Sequence, residues 1–492
     1  MKCRPIVPLV MLVLALSAAL LFSGGCANIL PPSGGPRDSL PPVLLKAFPA
    51  DSTLEFAGKT IRFEFDEFVE VDNYLKNLII SPVPEDMPTV SRKLQTITVK
   101  LREDLEPNTT YSFNFGNSIR DLNEGNVYRN FTYLLSTGRY FDSLQFAGSV
   151  VLAQSGEIDT TMMVMLHRSG EDSALTTMKP RYVTRVDNQG KFRFWNLPPG
   201  TFYLYALKDE SGTYRYFSPE SQLFAFASEP VRIYSDSVEP VKLLAYQLPG
   251  VKEAPRTQEE RRGREEKRLK FSANLKASQQ DLLSPFVFQF EKPVRNFDSS
   301  KIVIATDTLY TPVAAGYSWT ADSTFTKWTL QIPWKENTLY HLILDKEFAT
   351  DTLGQQLLKS DTLSFFTKKL SDYGKLNLRF RNLDLSNNPV LQFVQNKEVV
   401  YSFPLNSSTL TQPLFMPGEY NLRILRDTNG NGVWDPGNFF GEKRQPEVAE
   451  PLARTVNVKP GQDFPIEIDV LEKPAADTPG TGPGNRRPNR NP

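Results

Sequence analysis

The sequence contains very few of the side chains on which most enzymes and metal sites depend. Its 492 residues include only two His and two Cys, which leaves few of the usual catalytic and zinc-binding side chains. The formal net charge is zero because 56 basic residues balance 56 acidic ones. A chain without a basic excess is not drawn to phosphate backbones or anionic lipid headgroups. We therefore expect no nucleic-acid partner and no cofactor, apart from one weak calcium candidate.

Apolar and turn-forming residues are abundant instead. The chain is 40 % hydrophobic and contains 33 Phe, 18 Tyr, 38 Pro and 28 Gly. This composition supplies ordinary hydrophobic cores and excludes a wholly disordered chain. It also favours short strands joined by turns over long helices. A chain of this length normally divides into three or more domains.

The N-terminus has the pattern of a secretory signal peptide. Lys2 and Arg4 precede an apolar run over residues 6–22, and the small residues Ser23, Gly24 and Gly25 follow. A charged segment, a short apolar segment and small residues at the cleavage point define such a signal. A retained membrane helix is the alternative, but the run is marginal because spanning needs about 20 apolar residues.

Cys26 follows these small residues, and the segment resembles the lipobox of bacterial lipoproteins. The resemblance implies that the Cys26 thiol is diacylated and that Cys26 becomes the first mature residue. Ser23 departs from the pattern, which has an aliphatic residue there, so an ordinary secretory signal with a stray cysteine is the alternative. Cys3 would leave with the signal, and the mature chain would then have no partner for a disulfide.

A Pro/Gly-rich tether follows the cysteine over residues 26–40. Its segment Pro31-Pro32-Ser33-Gly34-Gly35-Pro36-Arg37-Asp38 resembles the start of many Bacteroidetes lipoproteins. The resemblance implies a cell-envelope protein bound to the membrane through lipid. Ala27 in place of an aspartate favours the outer membrane, and the lack of an acidic export cluster favours its periplasmic face over the cell surface.

Three motifs recur in the same order, which indicates an internal duplication. The pairs are Phe63–Val69 with Phe288–Val294, Asn108–Tyr111 with Asn337–Tyr340, and Pro199–Leu204 with Pro417–Leu422. We therefore divide the chain into a signal (1–25), the tether (26–40), modules A1 (41–138) and B1 (139–250), a charged linker (251–270), modules A2 (271–369) and B2 (370–472), and a polar tail (473–492). The tail is too polar to pack and is predicted to be disordered.

The A modules alternate apolar and polar residues with period two, as at Ile61, Phe63 and Phe65. This pattern predicts half-buried strands of a β-sandwich. With their Phe-x-Phe strand and the Asp turns at Asp121 and Asp351, they resemble the bacterial Ig-like domain first described in S-layer proteins. A2 lacks the Pro-Pro opening of that family and matches it less well.

The B modules carry an Asp/Asn/Gly turn between two alternating strands, at residues 186–194 in B1, followed by a Leu-Pro-Pro-Gly turn. The pattern predicts a hairpin and a second tight turn. It looks like the transthyretin-like, carboxypeptidase-regulatory sandwich, an accessory module whose resemblance transfers no catalytic residue. The predicted fold class is therefore all-β, with Ig-like and transthyretin-like sandwiches in series.

One loop of B2 places oxygen-bearing groups at alternate positions with glycine sixth, as calcium loops do. The candidate ligands are Asp427, Asn429, Asn431, Val433 and Asp435. The spacing resembles the first nine positions of an EF-hand or dockerin loop, but Asn438 stands where that loop has a bidentate Glu. The alternative is an Asx/Gly-rich turn held by its own hydrogen bonds.

An Asp-Ser/Thr dipeptide followed by a small or aliphatic residue or Thr is enriched, since composition alone gives about two such triplets. The triplet resembles the O-glycosylation sequon of Bacteroidetes envelope proteins. The implied acceptors are Ser39, Ser52, Ser143, Thr160, Ser173, Ser237, Thr308, Ser323, Thr352 and Thr362. The alternative is that these dipeptides form turns before strands; under either interpretation we expect some to be buried.

Enzyme patterns fit poorly, and we expect no catalytic residues. His167 and His341 lie in strand-like runs without a nucleophile-elbow motif. A glycosidase pair among the nearby carboxylates Glu64, Asp66, Glu67 and Glu70 is the alternative. Neighbouring residues on one strand alternate faces, however, and such carboxylates are usually solvated.

The prediction is a non-enzymatic, lipid-anchored envelope protein that acts as a spacer or as a scaffold for envelope proteins or glycans. One alternative is a carbohydrate-binding lipoprotein of a glycan-uptake system, with Tyr214, Tyr216, Phe217 or Trp434 as an aromatic platform. The other is a hydrolase with an unrecognised site.

Overall fold

The computed structural model describes residues 37–250, 268–313, 316–461, 463 and 465–472. These residues form an almost entirely β-stranded protein, as predicted. They divide into two compact units. The first comprises the described residues up to Ile80 together with Pro84–Phe141, and the second comprises residues 81–83 and the described residues from Asp142 onward. Among the described residues, no helix has the length and hydropathy to cross a bilayer.

The first unit contains module A1. Its elements are β1 (Leu44–Phe48), β2 (Thr60–Phe65), β3 (Val69–Val71), α1 (Tyr74–Asn77), β4 (Ile79–Ser81), β5 (Thr89–Lys93), β6 (Thr96–Lys100), β7 (Thr110–Gly116), β8 (Ile119–Asp121), β9 (Val127–Tyr128) and β10 (Phe131–Ser136). A sheet of order β1-β2-β6-β5 and a sheet of order β10-β7-β4 enclose the core, and β3-β8-β9 forms a smaller sheet.

The predicted alternation holds in A1. In β2, Ile61, Phe63 and Phe65 are buried, and the residues between them face solvent. The Phe63 ring packs edge-on against Phe115, with 5.8 Å between ring centroids, and against rings from β10. Two sheets that present aromatic rings to each other in this way make a sandwich core.

The second unit contains B1, A2 and B2. The elements of B1 are β11 (Leu144–Leu152), β12 (Met163–His167), α2 (Ala174–Thr177), β13 (Tyr182–Arg185), β14 (Lys191–Leu197), β15 (Gly200–Leu207), β16 (Phe224–Phe226), β17 (Val231–Ile233) and β18 (Val241–Ala245). Its sheets have the orders β14-β11-β18 and β13-β12-β15-β16, and β17 also pairs with β15.

A2 is a second sandwich with its own core. Its strands are β19 (Phe271–Ala273), β20 (Gln279–Gln280), β21 (Phe286–Phe290), β22 (Val294–Phe297), β23 (Ile302–Ala305), β24 (Ser318–Ala321), β25 (Lys327–Gln331), β26 (Leu339–Leu344), β27 (Ala349–Asp351) and β28 (Asp361–Thr367), with single 3₁₀ turns at Ser299–Lys301 and Leu370–Asp372. The sheet orders are β19-β21-β25-β24 and β20-β28-β26-β23, with the pair β22-β27. The core also includes Leu269.

B2 repeats the topology of B1, which confirms the duplication. Its strands are β29 (Gly374–Arg381), β30 (Pro389–Gln395), β31 (Glu398–Pro404), β32 (Thr409–Phe415), β33 (Gly418–Arg426), β34 (Val448–Pro451), β35 (Val456–Val458) and β36 (Pro465–Asp469). In B1, β11 pairs antiparallel with β14 and parallel with β18. In B2, β29 pairs in the same way with β32 and β36.

The central strands β12 and β30 do not alternate between buried and exposed residues. Every residue of β12 is buried, and so is every residue of β30 except its last. A strand loses its polar face when both faces of its sheet are covered. In both B modules, therefore, the sheet face that points away from the module's own core is also covered.

Candidate functional site

The predicted lipidation residue Cys26 lies outside the described residues, together with the signal and most of the tether. Most of the charged linker and the polar tail lie outside them as well. The predictions for these segments therefore remain predictions.

The predicted calcium loop of B2 is a tight turn that begins where β33 ends. Asp427 is 2 % exposed, and its carboxylate accepts hydrogen bonds from the backbone N–H groups of Gly430, Asn431 and Gly432 at 2.8, 3.2 and 2.6 Å. The structure thus brings the start of the loop around one buried carboxylate, the arrangement of an Asx-type turn.

The other predicted ligands converge on Asp435. The side-chain amides of Asn429 and Asn431 both donate to its Oδ2 atom, at 2.5 and 2.8 Å, whereas the Val433 side chain faces solvent. Carboxylate, amide and carbonyl oxygens in such a loop suit a hard cation such as Ca²⁺. The hydrogen bonds of the turn are already formed between its own groups.

Glu447 completes this turn and was missed by the sequence analysis. It is 7 % exposed. Its Oε1 atom accepts from the N–H and hydroxyl of Thr428, and its Oε2 atom accepts from the N–H of Asp435. The Trp434 indole donates to the Glu447 carbonyl at 2.7 Å. Spacing gave no signal for Glu447, because it lies beyond any single-loop motif.

A second acidic group lies in A1. Oxygen atoms of Glu67, Asp121 and Glu124 all lie within 4.8 Å of one another. Burial raises the pKa of Glu67, and the nearby charge of Asp121 raises it further. Carboxylates grouped in this way suit a hard divalent cation, yet both oxygens of Asp121 already accept backbone N–H groups.

Two of the four carboxylates considered for a glycosidase pair, Asp66 and Glu70, are engaged in structural contacts. The Arg120 side chain forms an ion pair with Glu70 at 2.6 Å, and Asp66 accepts a hydrogen bond from the Val43 N–H at 2.7 Å. These two carboxylates stabilise A1 and are not arranged as the acid and base of a glycosidase.

The two histidines do not form a catalytic arrangement. His167 lies in β12, is 2 % exposed and packs edge-on against Tyr205; burial lowers its pKa to about 4. His341 Nδ1 lies 2.8 Å from the hydroxyl of Ser364 on the neighbouring strand. The buried Nε2 atom of His341 has no hydrogen-bond partner in the described part of the chain. The third group that orients the base in a catalytic triad is therefore missing from this pair.

The predicted aromatic platform is mostly internal, which corrects that alternative. Tyr216 is 1 % exposed and stacks on Phe224 with 4.0 Å between ring centroids. Trp434 is partly buried, and Tyr214 likewise. Phe217 alone of the four is mostly exposed, at 61 %. It lines a shallow groove with Lys208, Glu210, Ser218 and Gln247, among others.

All ten predicted glycosylation acceptors are exposed, so the expectation that some are buried is wrong. The turn interpretation is met at several of the same triplets. Asp322, for example, accepts from the N–H groups of Thr326 and Lys327, and Asp159 accepts from that of Thr161. The aspartates thus hold turns that present the neighbouring hydroxyls to solvent.

Residues 38–137 match the bacterial Ig-like domain family, a segment that corresponds to A1 and covers about one fifth of the chain. No curated protein matches the sequence. The major pilin subunit of Bacillus cereus is similar over 66 % of this chain and 99 % of its own, at 10 % identity and a TM-score of 0.16. The N-terminal part of a bacterial S-layer protein is similar over 42 % of this chain and 44 % of its own, at 13 % identity and a TM-score of 0.15.

Proposed function

We propose that this protein is a non-enzymatic scaffold of the cell envelope, anchored by lipid on Cys26. The proposal is supported by the buried polar groups of the described modules, which take part in structural contacts. The buried carboxylates of Asp121 and Asp427 hold turns, and His167 is packed inside a sheet. Groups used in this way stabilise sandwiches and offer no acid, base or nucleophile to a substrate.

The lipid anchor rests on the sequence around Cys26. A single acyl chain binds membranes only weakly, whereas two chains on one residue give stable anchoring. The Pro/Gly-rich tether would then hold A1 away from the bilayer. The match of A1 to the bacterial Ig-like family supports the modular part of the proposal and is independent of the lipid.

Labelling cells with a palmitate analogue tests the anchor. We expect the wild type to be labelled and to sediment with outer membranes, and Cys26→Ala to lose both properties. Cys3→Ala is the matched control, because it removes the other cysteine and should keep the label. Protease treatment of intact cells then reports which face of the outer membrane carries the modules. An unlabelled wild type would refute the lipid anchor.

Binding of carbohydrate is a second candidate, and Phe217 supports it. An exposed aromatic ring beside polar side chains is a common way to bind a sugar, because the ring packs on the apolar face of the sugar while polar groups bind its hydroxyls. Screening the protein against envelope polysaccharides tests this. Phe366, which is also exposed at 49 %, supplies the control. Binding that Phe217→Ala abolishes and Phe366→Ala retains would support this candidate; no binding by the wild type would exclude it for the glycans used.

A further inference from the structure

The outer face of one B1 sheet is apolar and is covered by B2. Tyr205, Phe224 and Phe226 lie on this face, and Phe439 of B2 packs edge-on against all three rings, with centroid distances of 5.8, 5.2 and 5.3 Å. Phe439 lies outside the strands of B2 and is nevertheless only 3 % exposed. Its burial therefore comes from B1.

Residues 427–447 connect β33 to β34, and we call their second part, residues 435–447, the clasp. The corresponding connection in B1, residues 208–223 between β15 and β16, folds over its own sheet and stacks Tyr216 on Phe224. The clasp extends that stack from the other module, because Phe440 lies parallel to Tyr216 with 5.7 Å between centroids. In B1, therefore, the connection covers its own sheet, whereas in B2 the corresponding connection packs against the other B module.

Polar contacts surround this aromatic cluster. The Gln445 amide donates to the Phe226 carbonyl at 2.9 Å, and Lys443 pairs with Asp172 at 2.6 Å. Away from the clasp, the Ala449 N–H donates to the Ala153 carbonyl at 2.8 Å. The nine-tenths buried Arg423 donates to the Gln154 carbonyl at 3.0 Å, a contact between residues 269 positions apart.

Glycines in both modules allow B1 and B2 to approach each other closely. A Cβ atom at Gly437 would lie 2.6 Å from the Tyr246 ring, and one at Gly156 would lie 2.5 Å from the Pro451 ring. Both clashes are between B1 and B2. An apolar centre, a polar rim and tight packing are the features of a specific protein–protein interface.

We propose that B1 and B2 bind each other through the clasp firmly enough to stay together without the chain that connects them. That connection passes through A2, so the interface closes a loop of chain with A2 inside it. The scaffold is then one joined body from B1 to B2, not a row of modules that move independently. This inference does not depend on the lipid anchor.

A nicked chain tests the proposal directly. A site-specific protease sequence inserted between B1 and A2 allows the folded full chain to be cut into two fragments. We expect the cut wild type to elute from gel filtration as one complex. Phe439→Ala should weaken the affinity of the fragments about thirtyfold or more, the effect of losing a central aromatic at an interface.

The matched control is Phe366→Ala, an exposed ring of A2, which should leave the complex intact. Gly437→Val is a second variant that should weaken the complex, because its side chain would clash with the Tyr246 ring. Circular dichroism of each cut variant shows whether its fragments remain folded. Cut wild-type fragments that elute separately while folded would overturn the proposal, as would a Phe439→Ala complex as tight as the wild type.

Discussion

Replacing Asp121 by alanine should destabilise A1 strongly. Asp121 ends β8, is 1 % exposed and begins the Asp turn that resembles the Ig-like motif. Its carboxylate accepts from the backbone N–H groups of Glu124, Gly125 and Asn126 at 2.6, 2.9 and 2.7 Å. Alanine leaves all three donors without their acceptor.

A buried donor that loses its partner costs about 1–3 kcal/mol. Because this turn lies near the surface, water can reach part of the vacated space, and we expect a total of about 3 kcal/mol for the three bonds. Asp351, at the equivalent place in A2, accepts from only two N–H groups, those of Leu353 and Gln355. Asp351→Ala should therefore cost about 2 kcal/mol in A2.

Hydrogen exchange followed by mass spectrometry separates the two effects. The first Trp of the chain is Trp195, so tryptophan fluorescence does not report on A1. We expect Asp121→Ala to speed exchange in β2 and β7 but not in A2, and Asp351→Ala to do the reverse. Asp104→Ala is the control, since that side chain is 87 % exposed. An Asp121→Ala variant as stable as this control would refute the reasoning.

The same site predicts a pH dependence. Burial favours the neutral form of Asp121, but the backbone hydrogen bonds from Gly125, Glu124 and Asn126 outweigh it and lower its pKa. A carboxyl group with a lowered folded-state pKa contributes stability above its unfolded-state pKa and loses it as the pH falls through the folded-state value. A1 should therefore lose this contribution in acid below about pH 4, and Asp121→Ala should not.

Three further predictions concern the second unit and the surface. Burial lowers the pKa of His167 from 6.5 to about 4. The neutral side chain therefore contributes to the free energy of unfolding above pH 6.5, and this contribution, about 3 kcal/mol in all, is lost on acidification toward pH 4. His167→Gln should remove that part of the pH dependence of urea unfolding, and an unchanged dependence would contradict this. The turn around Asp427 is complete without an ion, so we expect the same Tm in excess EDTA and in millimolar calcium, with Asp427→Ala less stable in both; a higher Tm in calcium would instead assign a calcium site. Intact mass and glycopeptide spectra of protein from its native host should show hexose-containing additions on the exposed Asp-Ser/Thr hydroxyls, each lost on Ser/Thr→Ala, and an unmodified chain would leave these triplets as turns alone.

Local patterns in the sequence predicted local features of the structure. The alternation of Ile61, Phe63 and Phe65 placed one face of β2 in the core correctly, because side chains in a strand alternate between faces. The recurrence of short motifs revealed the duplication even though the B modules share few residues. The Asp427 turn was also predictable, since its hydrogen bonds join residues within one loop.

Features that depend on distant residues were not predictable. Tyr216 was proposed as an exposed ring and is buried, because it stacks on Phe224 of its own module and lies parallel to Phe440 of B2. The burial of both faces of β12 and β30 has a similar cause, since tertiary packing covers the second face of each sheet. Glu447 was missed because only the fold brings it to the Asp427 loop.

The most direct test of the envelope-scaffold account is mass spectrometry of the mature N-terminal peptide purified from outer membranes. The account predicts a chain that begins at Cys26 and carries a diacylglyceryl group on the thiol. A chain that retains residues 1–25, or that begins at Cys26 or elsewhere without lipid, would contradict it.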